Sequence, residues 1–319
     1  MNFDLLKEAS VLVTGAGGFI GNHLTATLKN HGARVIAVDR TARDGISVAD
    51  MTNVDEVKKC FRSSQEYFAK PIEYVFHLAG QNNAGIAHKF PFDTLQSSFQ
   101  SAINILEVAR NQPGIKNVII PSTLGVYGRL DDQNEHALKE SDRLVADSVY
   151  SATKITAEYA ALSYVSEFGL PVRIARLANV YGPGQSNAAV IPSLISQMSN
   201  SQEISMGNMD AIRDFIYIDD VIEGLLAISL LDNQPQRVFN LGTGCGSSVK
   251  TVVEILTRIL NFGGRIVIDR DKLRPNEKRY VVADIGQLTE ATGWTPRIMI
   301  EQGLEETVLF EQGVPNARQ

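Results

Sequence analysis

Short apolar runs alternate with longer amphipathic stretches along the first 180 residues of the chain. Such runs, bounded by polar or glycine residues, are typical of buried strands, and the periodic stretches between them are typical of helices. The predicted strands span residues 11–14, 34–38, 46–49, 72–78, 117–121 and 172–177. The predicted helices include residues 53–69, 92–110 and 155–168. This alternation predicts an α/β fold built on a doubly wound parallel sheet.

A glycine-rich loop follows the first predicted strand and leads into a helix that ends near His31. Its glycines, Gly15, Gly18 and Gly21, permit a tight turn and a close approach of the backbone to a pyrophosphate. Asp39 ends the second predicted strand about 20 residues later, where a carboxylate suits a ribose 2′-hydroxyl. The sequence therefore predicts a Rossmann fold that favours NAD. Arg40 can also meet a 2′-phosphate, which leaves NADP open.

Other polar or glycine residues stand where predicted strands end. Asp50 follows the third strand, Gly80 the fourth and Thr123 the fifth. Because ligands of doubly wound sheets bind beyond the carboxyl ends of the strands, we expect these residues to gather at one edge. The Thr123 hydroxyl can steady charge on a substrate oxygen, although a hydroxyl at this place can equally satisfy a turn.

Tyr150 and Lys154 lie four residues apart at the start of the last predicted helix of this half. On a helix they share one face, about 5.4 Å apart along the axis. A neighbouring ammonium favours the phenolate, so we expect the pKa of Tyr150 to fall below its usual value of about 10. Tyr150 can then exchange a proton with a hydroxyl or carbonyl oxygen. Alone, such a pair is also common on exposed helices.

After residue 184 the pattern changes to short mixed elements. Predicted helices cover residues 191–198, 218–231 and 249–260, and a predicted strand covers residues 204–206. We therefore expect a dinucleotide-binding domain over residues 1–184 and a substrate subdomain over residues 185–319, packed on the first and able to exchange segments with it. Residues 178–184 are expected to form a loop that stops further pairing. Two separated arginines, Arg213 and Arg274, could clamp a diphosphate.

Composition excludes several classes of protein. The 319 residues carry a net charge of −6 and contain no basic run, which argues against a nucleic-acid partner. Cys60 and Cys245 are far apart and have no metal-ligand spacing, which fits a reducing cytosol and no metal site. No apolar run reaches the length of a membrane span, and the acidic start of the chain is unlike a signal peptide. We expect a cytoplasmic protein.

Several motifs occur together and in one order over nearly the whole chain, at residues 14–21, 77–80, 122–128, 150–154, 179–184, 213–217, 240–244, 274–277 and 293–296. With them the chain resembles the extended short-chain dehydrogenase/reductases, in the NAD-dependent epimerase/dehydratase group that acts on nucleotide-diphosphate sugars.

The resemblance implies a role for individual residues of this chain. For the cofactor it implies that the pyrophosphate is held by Gly15, Gly18, Phe19, Ile20 and Gly21. The adenosine ribose would be held by Asp39, and the adenine by Asp50 and Met51. Leu78, Ala79 and Gly80 would run beside the dinucleotide. The implied catalytic set is Thr123, Tyr150 and Lys154, of which Lys154 also bonds the nicotinamide ribose. The implied substrate ligands are Asn179, Arg213, Arg274 and Glu277. The resemblance further implies a homodimer formed by the helices at residues 92–110 and 150–168.

Two departures from the family pattern narrow the activity. The 4,6-dehydratases of the family carry an Asp-Glu pair directly after the catalytic hydroxyl, whereas this chain has Leu124 and Gly125. Neither residue transfers protons, so we expect no dehydration of that kind. Ser98 and residues 101–102 stand where members often carry Asn and a Gly-Thr pair, which loosens assignment to one enzyme.

The resemblance leaves more than one function open. In an NAD-dependent epimerase, Tyr150 would take the C4 hydroxyl proton while a hydride leaves C4, and the hydride would return to the other face after the keto sugar rotates. In an NAD(P)H-dependent reductase of nucleotide-4-keto-6-deoxysugars, Tyr150 would supply the proton once. A non-catalytic dinucleotide-binding sensor is a third hypothesis, which the intact Thr123, Tyr150 and Lys154 disfavour.

Overall fold

The computed structural model of the chain describes residues 3–80, 84–128, 135–232, 234–273 and 278–314. In chain order its strands are β1 (Ser10–Thr14), β2 (Arg34–Asp39), β3 (Ser47–Val48), β4 (Tyr74–His77), β5 (Asn117–Thr123), β6 (Val172–Leu177), β7 (Asn179–Tyr181), β8 (Glu203–Met206), β9 (Ile212–Tyr217), β10 (Val238–Leu241), β11 (Gly246–Ser248), β12 (Arg265–Ile268) and β13 (Tyr280–Val281). Its α-helices are α1 (Phe19–Asn30), α2 (Val54–Phe68), α3 (Ala84–Lys89), α4 (Pro91–Arg110), α5 (Val149–Phe168), α6 (Val190–Asn200), α7 (Ile218–Ser229), α8 (Val249–Ile259), α9 (Gly286–Thr292) and α10 (Ile300–Glu311).

Seven parallel strands of the described residues form the large sheet, in the order β10-β6-β5-β4-β1-β2-β3. Side chains of successive residues in a strand face opposite sides, and both sides of this sheet are covered. Leu12 of β1 packs into a core shared with α2, α4 and α5. Its neighbours Val11 and Val13 pack into a second core shared with α1 and α7. The predicted Rossmann fold is therefore confirmed.

The second group of elements surrounds β9. This strand pairs in parallel with β7 and β13 and antiparallel with β11, while β8 pairs with β12. The prediction of a loop over residues 178–184 is wrong for its first part. Asn179 and Tyr181 pair with Phe215 and Tyr217, so the chain forms one more short strand before Gly182.

The polypeptide passes back from the second group of elements to the large sheet. After α7, β10 pairs with β6 along Val238↔Ile174 to Leu241↔Leu177 and becomes the outermost strand on that side. The core that includes Leu24 of α1 also includes Leu194 of α6 and Leu256 of α8. The proposed division at residue 184 thus runs through one continuous apolar core, in which each group of elements completes the other.

Candidate active site

The glycine loop after β1 forms a cradle in which side chains have no room. Gly15 has φ +68°, and a Cβ on it would lie 2.7 Å from the backbone nitrogen of Ala79. A Cβ on Gly21 would overlap the carbonyl oxygen of Gly15. Gly18 is the N-cap of α1. Because a glycine has no side chain to cap the helix, the first turn, which begins with Phe19 and Ile20, receives no side-chain hydrogen bond from it. The N–H groups of that turn suit an anion, so the cradle fits the diphosphate of a dinucleotide.

Asp39 lies at the end of β2 and is fixed beside this cradle. Its Oδ2 accepts a hydrogen bond from the Gly17 N–H at 3.0 Å, and its Oδ1 accepts one from the Thr41 N–H at 3.1 Å. The exposed Arg40 follows it. The Asp39 carbonyl accepts a hydrogen bond from the Ala49 N–H at 2.9 Å, and the chain continues from Ala49 into the predicted adenine contacts, Asp50 and the buried Met51. The structure therefore brings the predicted ribose and adenine ligands to one sheet edge.

A chain of hydrogen bonds fixes the end of β4 against β1. The Thr14 hydroxyl accepts from the Ala79 N–H at 3.2 Å and lies 2.9 Å from Nδ1 of His77. Nε2 of His77 lies 3.4 Å from the Ser101 hydroxyl, which donates to the Ser98 carbonyl at 3.0 Å. Because the single proton of the Ser101 hydroxyl is used on Ser98, Nε2 must carry the ring proton and Nδ1 must accept from Thr14. This network holds Ala79, and with it residues 78–80, beside the cradle.

The predicted catalytic residues come together where β5 ends and α5 begins. Thr123 is the last residue of β5, and its Oγ1 accepts a hydrogen bond from the Gly125 N–H at 3.1 Å. The Thr123 hydroxyl lies close enough to the Tyr150 phenol to act on its pKa. Lys154 lies one turn further along α5, and its ammonium donates to the Pro121 carbonyl at 3.1 Å.

A cavity of about 1010 Å³ opens directly on this group. Five of the predicted site residues line it, namely Phe19, Thr123, Tyr150, Asn179 and Arg213. Sequence reasoning assigned no individual role to other lining residues, among them Ile86, Gln185 and Lys272. They stand on short or irregular segments without a recognisable motif. The predicted substrate ligands Arg274 and Glu277 lie outside the described residues. The cavity therefore joins the Thr123 and Tyr150 side chains to basic residues of the second group of elements, Arg213 and Lys272.

The sequence model of the NAD dependent epimerase/dehydratase family matches residues 11–242 of the chain. The chain belongs to this family. The sequence-based resemblance, and the prediction of an enzyme of the extended short-chain dehydrogenase/reductase type, are thereby confirmed.

Relatives within the epimerase/dehydratase family differ in activity. A putative UDP-glucose 4-epimerase from Methanocaldococcus jannaschii is 30% identical over 93% of this chain and 97% of that protein. GDP-6-deoxy-D-mannose reductase from Pseudomonas aeruginosa is 28% identical over 92% and 94%. The crystal structure of UDP-glucose 4-epimerase from Thermotoga maritima with UDP-glucose has a TM-score of 0.85 at 27% identity and covers 95% of this chain and 99% of that one. The chain spans 47% of a trifunctional Arabidopsis thaliana enzyme that it also matches.

The electrostatics of this epimerase/dehydratase site differ from the sequence-based expectation. Burial raises the pKa of Tyr150 to about 12, and the neighbouring Thr123 hydroxyl opposes that rise only in part. The expected lowering by Lys154 is wrong, because the Lys154 ammonium is directed at the Pro121 carbonyl. Burial also lowers the pKa of Lys154 to about 8, against the opposing charge of Glu158. Partial burial therefore shifts both groups toward their uncharged forms.

The first turn of α5 is fixed by its cap and by a residue from the C-terminal part of the chain. Ser148 and Ser151 form a capping box, and the Ser151 hydroxyl donates to Asp147 at 3.2 Å. The ammonium of Lys278 lies 3.4 Å from the Asp147 carboxylate and donates to the Gly125 carbonyl at 2.9 Å. Lys278 thus joins the turn after Thr123 to the cap that precedes Tyr150.

Asp214, next to Arg213, is a residue whose structural role sequence reasoning missed, as it missed that of Lys278. It is fully buried on β9 and accepts hydrogen bonds from Thr243 N–H at 2.8 Å, Thr243 hydroxyl at 2.7 Å, Gly244 N–H at 3.0 Å and Ala283 N–H at 3.2 Å. These bonds fix the strand that carries Arg213 into the cavity. The Arg213-Asp214-Phe215 motif alone did not indicate this role, because the partners of Asp214 are far away in sequence.

In the described part of the chain, no group of three or more His, Cys, Asp and Glu side chains is placed to hold a metal ion. Among the helices of that part, none has both the length and the apolar character needed to cross a bilayer.

Proposed function

We propose that the chain is an NAD-dependent 4-epimerase of nucleotide-diphosphate sugars. The observation that carries this proposal is one cavity lined by Thr123 and Tyr150 and also by Asn179 and Arg213. Hydroxyls that can exchange a proton stand at one end, and an arginine suited to phosphate stands at the other. The similarity to a putative UDP-glucose 4-epimerase and to a structure with UDP-glucose supports the same class.

In this proposal the cofactor lies along the carboxyl edge of the large sheet. The glycine cradle holds its diphosphate, Asp39 its adenosine ribose, Asp50 and Met51 its adenine, and residues 78–80 its side. When bound, NAD supplies a nicotinamide that accepts a hydride from C4 of the sugar and returns it. Asp39 favours NAD because a carboxylate accepts a hydrogen bond from a ribose hydroxyl and repels a phosphate. Arg40, which is exposed beside it, is the residue that would serve NADP.

The residues of the chain would supply the proton transfer and the orientation of the sugar. Tyr150 takes the C4 hydroxyl proton during oxidation and gives it back during reduction. The Thr123 hydroxyl donates to the same oxygen and stabilises its charge. Lys154, one helical turn beyond Tyr150, bonds the nicotinamide ribose with its ammonium. Asn179 and Arg213 hold the diphosphate, so that the sugar can turn while its nucleotide stays in place. Arg274 and Glu277 are further predicted ligands of the substrate.

A 4-ketoreductase is the second candidate, because a relative of the chain, GDP-6-deoxy-D-mannose reductase, is 28% identical over most of its length.

Dehydration at C5 and C6 is disfavoured for this chain. Leu124, at the position of the acid in the 4,6-dehydratases, is 2% exposed and packs into an apolar cluster with Val126 and Leu138. The adjoining Gly125 has no side chain.

The experiment compares the two candidates on one preparation. The purified protein is denatured and the released nucleotide is identified by chromatography, and the native protein is then given UDP-glucose without added cofactor. Bound NAD with formation of the C4 epimer supports the epimerase. Turnover only of a nucleotide-4-keto-6-deoxysugar with added NAD(P)H would instead establish the reductase.

The Tyr150→Phe variant tests the proton-transfer role in either enzyme. We expect turnover to fall by roughly 10²-fold or more, since general acid–base catalysis contributes 10²–10⁴-fold, while NAD affinity stays near that of the unchanged protein. Tyr67→Phe, at an exposed tyrosine on α2, is the matched control and should turn over normally. Normal turnover of Tyr150→Phe would contradict the assignment and favour a dinucleotide sensor.

We propose that the active form is a homodimer formed through α4 and α5. These helices pack on the same side of the large sheet and leave large apolar side chains exposed, at Phe92, Leu95 and Phe99 of α4 and Tyr159 of α5. The three α4 residues lie at positions i, i+3 and i+7, on one face of the helix. Such an exposed apolar face favours burial against a second copy of the same helix pair.

A further inference from the structure

Glu158 and Arg176 form an ion pair inside the protein, one helical turn beyond Lys154. Their side chains are 1% and 5% exposed. Nη2 of Arg176 lies 2.7 Å from Oε2 of Glu158, and Nε donates to both carboxylate oxygens at 3.2 Å. The guanidinium and the carboxylate therefore face each other in a nearly bidentate arrangement, which is the stronger kind of ion pair.

The rest of the guanidinium is held by the turn that follows Thr123. Its Nη1 donates to the Tyr127 hydroxyl at 2.9 Å and to the Glu140 carbonyl at 3.2 Å. The Tyr127 hydroxyl in turn donates to Asn240 on β10 at 2.6 Å. Arg176 is thus fixed from several sides, and it fixes the direction of the Glu158 carboxylate.

A buried ion pair of this kind seldom adds to stability, because removing two charges from water costs several kcal/mol for each ion. Its place in the fold indicates another role. In the pairing of β5 with β6, Pro121 lies opposite Ala175 and Ser122 opposite Arg176. The Pro121 carbonyl that binds the Lys154 ammonium therefore adjoins the position of Arg176. Glu158 lies four residues after Lys154 on α5, which places it on the same face of the helix.

The other titratable groups that face Lys154 do not compensate its charge. His77 on β4 is buried and uncharged, and Tyr150 on α5 keeps its proton at neutral pH. Arg176 on β6 is itself a cation. Among the groups that the structure shows acting on Lys154, Glu158 is the one that favours its ammonium form.

We propose that Glu158 is a positioning residue that keeps the half-buried Lys154 charged, and that Arg176 holds the Glu158 carboxylate in the place where it does so. The charge matters because the Lys154 ammonium is the group that would bond the nicotinamide ribose in the proposed function. The catalytic consequence rests on the proposed function, but the charge of Lys154 does not and is measured separately.

The expected direction follows from the charges. The pKa of Lys154 is already lowered to about 8 by burial, and Glu158 opposes that lowering. Without the carboxylate it falls further, so the lysine loses its proton at neutral pH. A step that needs the ammonium is retained below this pKa and lost as pH rises through it. Removing Glu158 must therefore move the alkaline loss of activity to lower pH.

The test is a pH titration of the full chain, as purified, in the Glu158→Gln variant. Lysine side chains labelled with ¹³C are followed by NMR, and the Lys154 signal is assigned by its loss in Lys154→Met. We expect the titration midpoint of Lys154 to fall by about one pH unit or more, the usual effect of removing an opposite charge nearby. The alkaline limb of kcat/KM with UDP-glucose should move by the same amount.

Two matched variants separate this effect from a loss of packing. Glu73→Gln removes another buried carboxylate, which pairs with Lys116 at 2.8 Å and lies near the start of β4, away from Lys154. Ser122→Ala removes a buried hydroxyl without a hydrogen-bond partner in the described residues, opposite Arg176 on β5. Both variants should leave the Lys154 midpoint and the alkaline limb unchanged.

A second substitution keeps the test decisive if Glu158→Gln does not fold. Glu158→Leu combined with Arg176→Met replaces both charges by apolar groups, a change that buried ion pairs often tolerate. The Lys154 midpoint should again fall, but by less than in Glu158→Gln, because a facing cation is lost together with the anion. An unchanged midpoint in whichever variant folds overturns the proposal. A lowered midpoint with an unmoved alkaline limb supports the charge role of Glu158 and contradicts the catalytic role of Lys154 in the proposed function.

Discussion

His77 should make the protein less stable in mild acid, and the size of the effect follows from its surroundings. The ring is 5% exposed and lies between the Thr14 and Ser101 hydroxyls. Burial, with a smaller contribution from the Lys154 charge, lowers its pKa from 6.5 to about 3. The bond from the Thr14 hydroxyl also needs an unprotonated Nδ1. The folded protein therefore keeps this histidine uncharged at a pH where the unfolded chain protonates it.

The sign and magnitude follow from this difference in bound protons. Below pH 6.5 the unfolded chain binds one more proton at His77 than the folded protein, so the free energy of unfolding falls as pH falls. Each pH unit in this interval contributes about 1.36 kcal/mol. Between pH 7.5 and pH 5 the contribution of His77 is therefore a loss of roughly 2 kcal/mol.

Urea unfolding at pH 7.5, 6 and 5 measures this loss. His77→Asn removes the titrating ring while an amide can still accept a hydrogen bond from Thr14. The variant should be less stable at pH 7.5, but its free energy of unfolding should fall by roughly 2 kcal/mol less than that of the unchanged protein on acidification. His88→Asn, at an exposed histidine on α3, should behave like the unchanged protein. Equal losses in the unchanged protein and in His77→Asn would refute the assignment of an uncharged, buried ring.

Three other substitutions, the first with a control variant, have outcomes that follow from the structure. Gly21→Ala places a Cβ onto the Gly15 carbonyl oxygen, so we expect about 2 kcal/mol or more of lost stability in thermal unfolding and weaker NAD binding in calorimetry. Gly263→Ala meets no atom within 4 Å and should change neither. Asp214→Asn turns an amide N–H toward backbone N–H groups and should cost about 3 kcal/mol in urea unfolding; a change below about 0.5 kcal/mol would contradict its anchoring role. Phe99→Glu should shift the mass in light scattering from dimer to monomer, whereas an unchanged mass would exclude the α4–α5 interface.

The sequence predicted the elements whose determinants are local. The strands of the large sheet up to β6 are apolar runs with glycine or polar ends, and the Tyr150–Lys154 spacing depends only on the helix. β7 and β10 were missed because each is a short run that becomes a strand only through a distant partner. β7 pairs with β9 more than 30 residues later, and β10 reaches β6 only after α7 has crossed over.

The same limit applies to the candidate site. Residue types and spacing identified Thr123, Tyr150 and Lys154, but they could not show that the Lys154 ammonium bonds the Pro121 carbonyl. The pKa of Tyr150 was therefore predicted in the wrong direction, since its value depends on burial and on the partner that the lysine selects. Glu158 has a local signal, its i+4 spacing from Lys154. Its role can be inferred only when the structure shows that Arg176 holds its carboxylate.

The return of the chain through β10 has a consequence for how this protein can be divided. A fragment that stops at residue 184 would lack Val238–Leu241 and would leave Val172–Leu177 as an open edge whose apolar side chains have lost their cover. Open apolar edges promote aggregation. Neither portion is a module that can be transplanted alone, so a chimera with an altered sugar preference must exchange individual loops around the cavity.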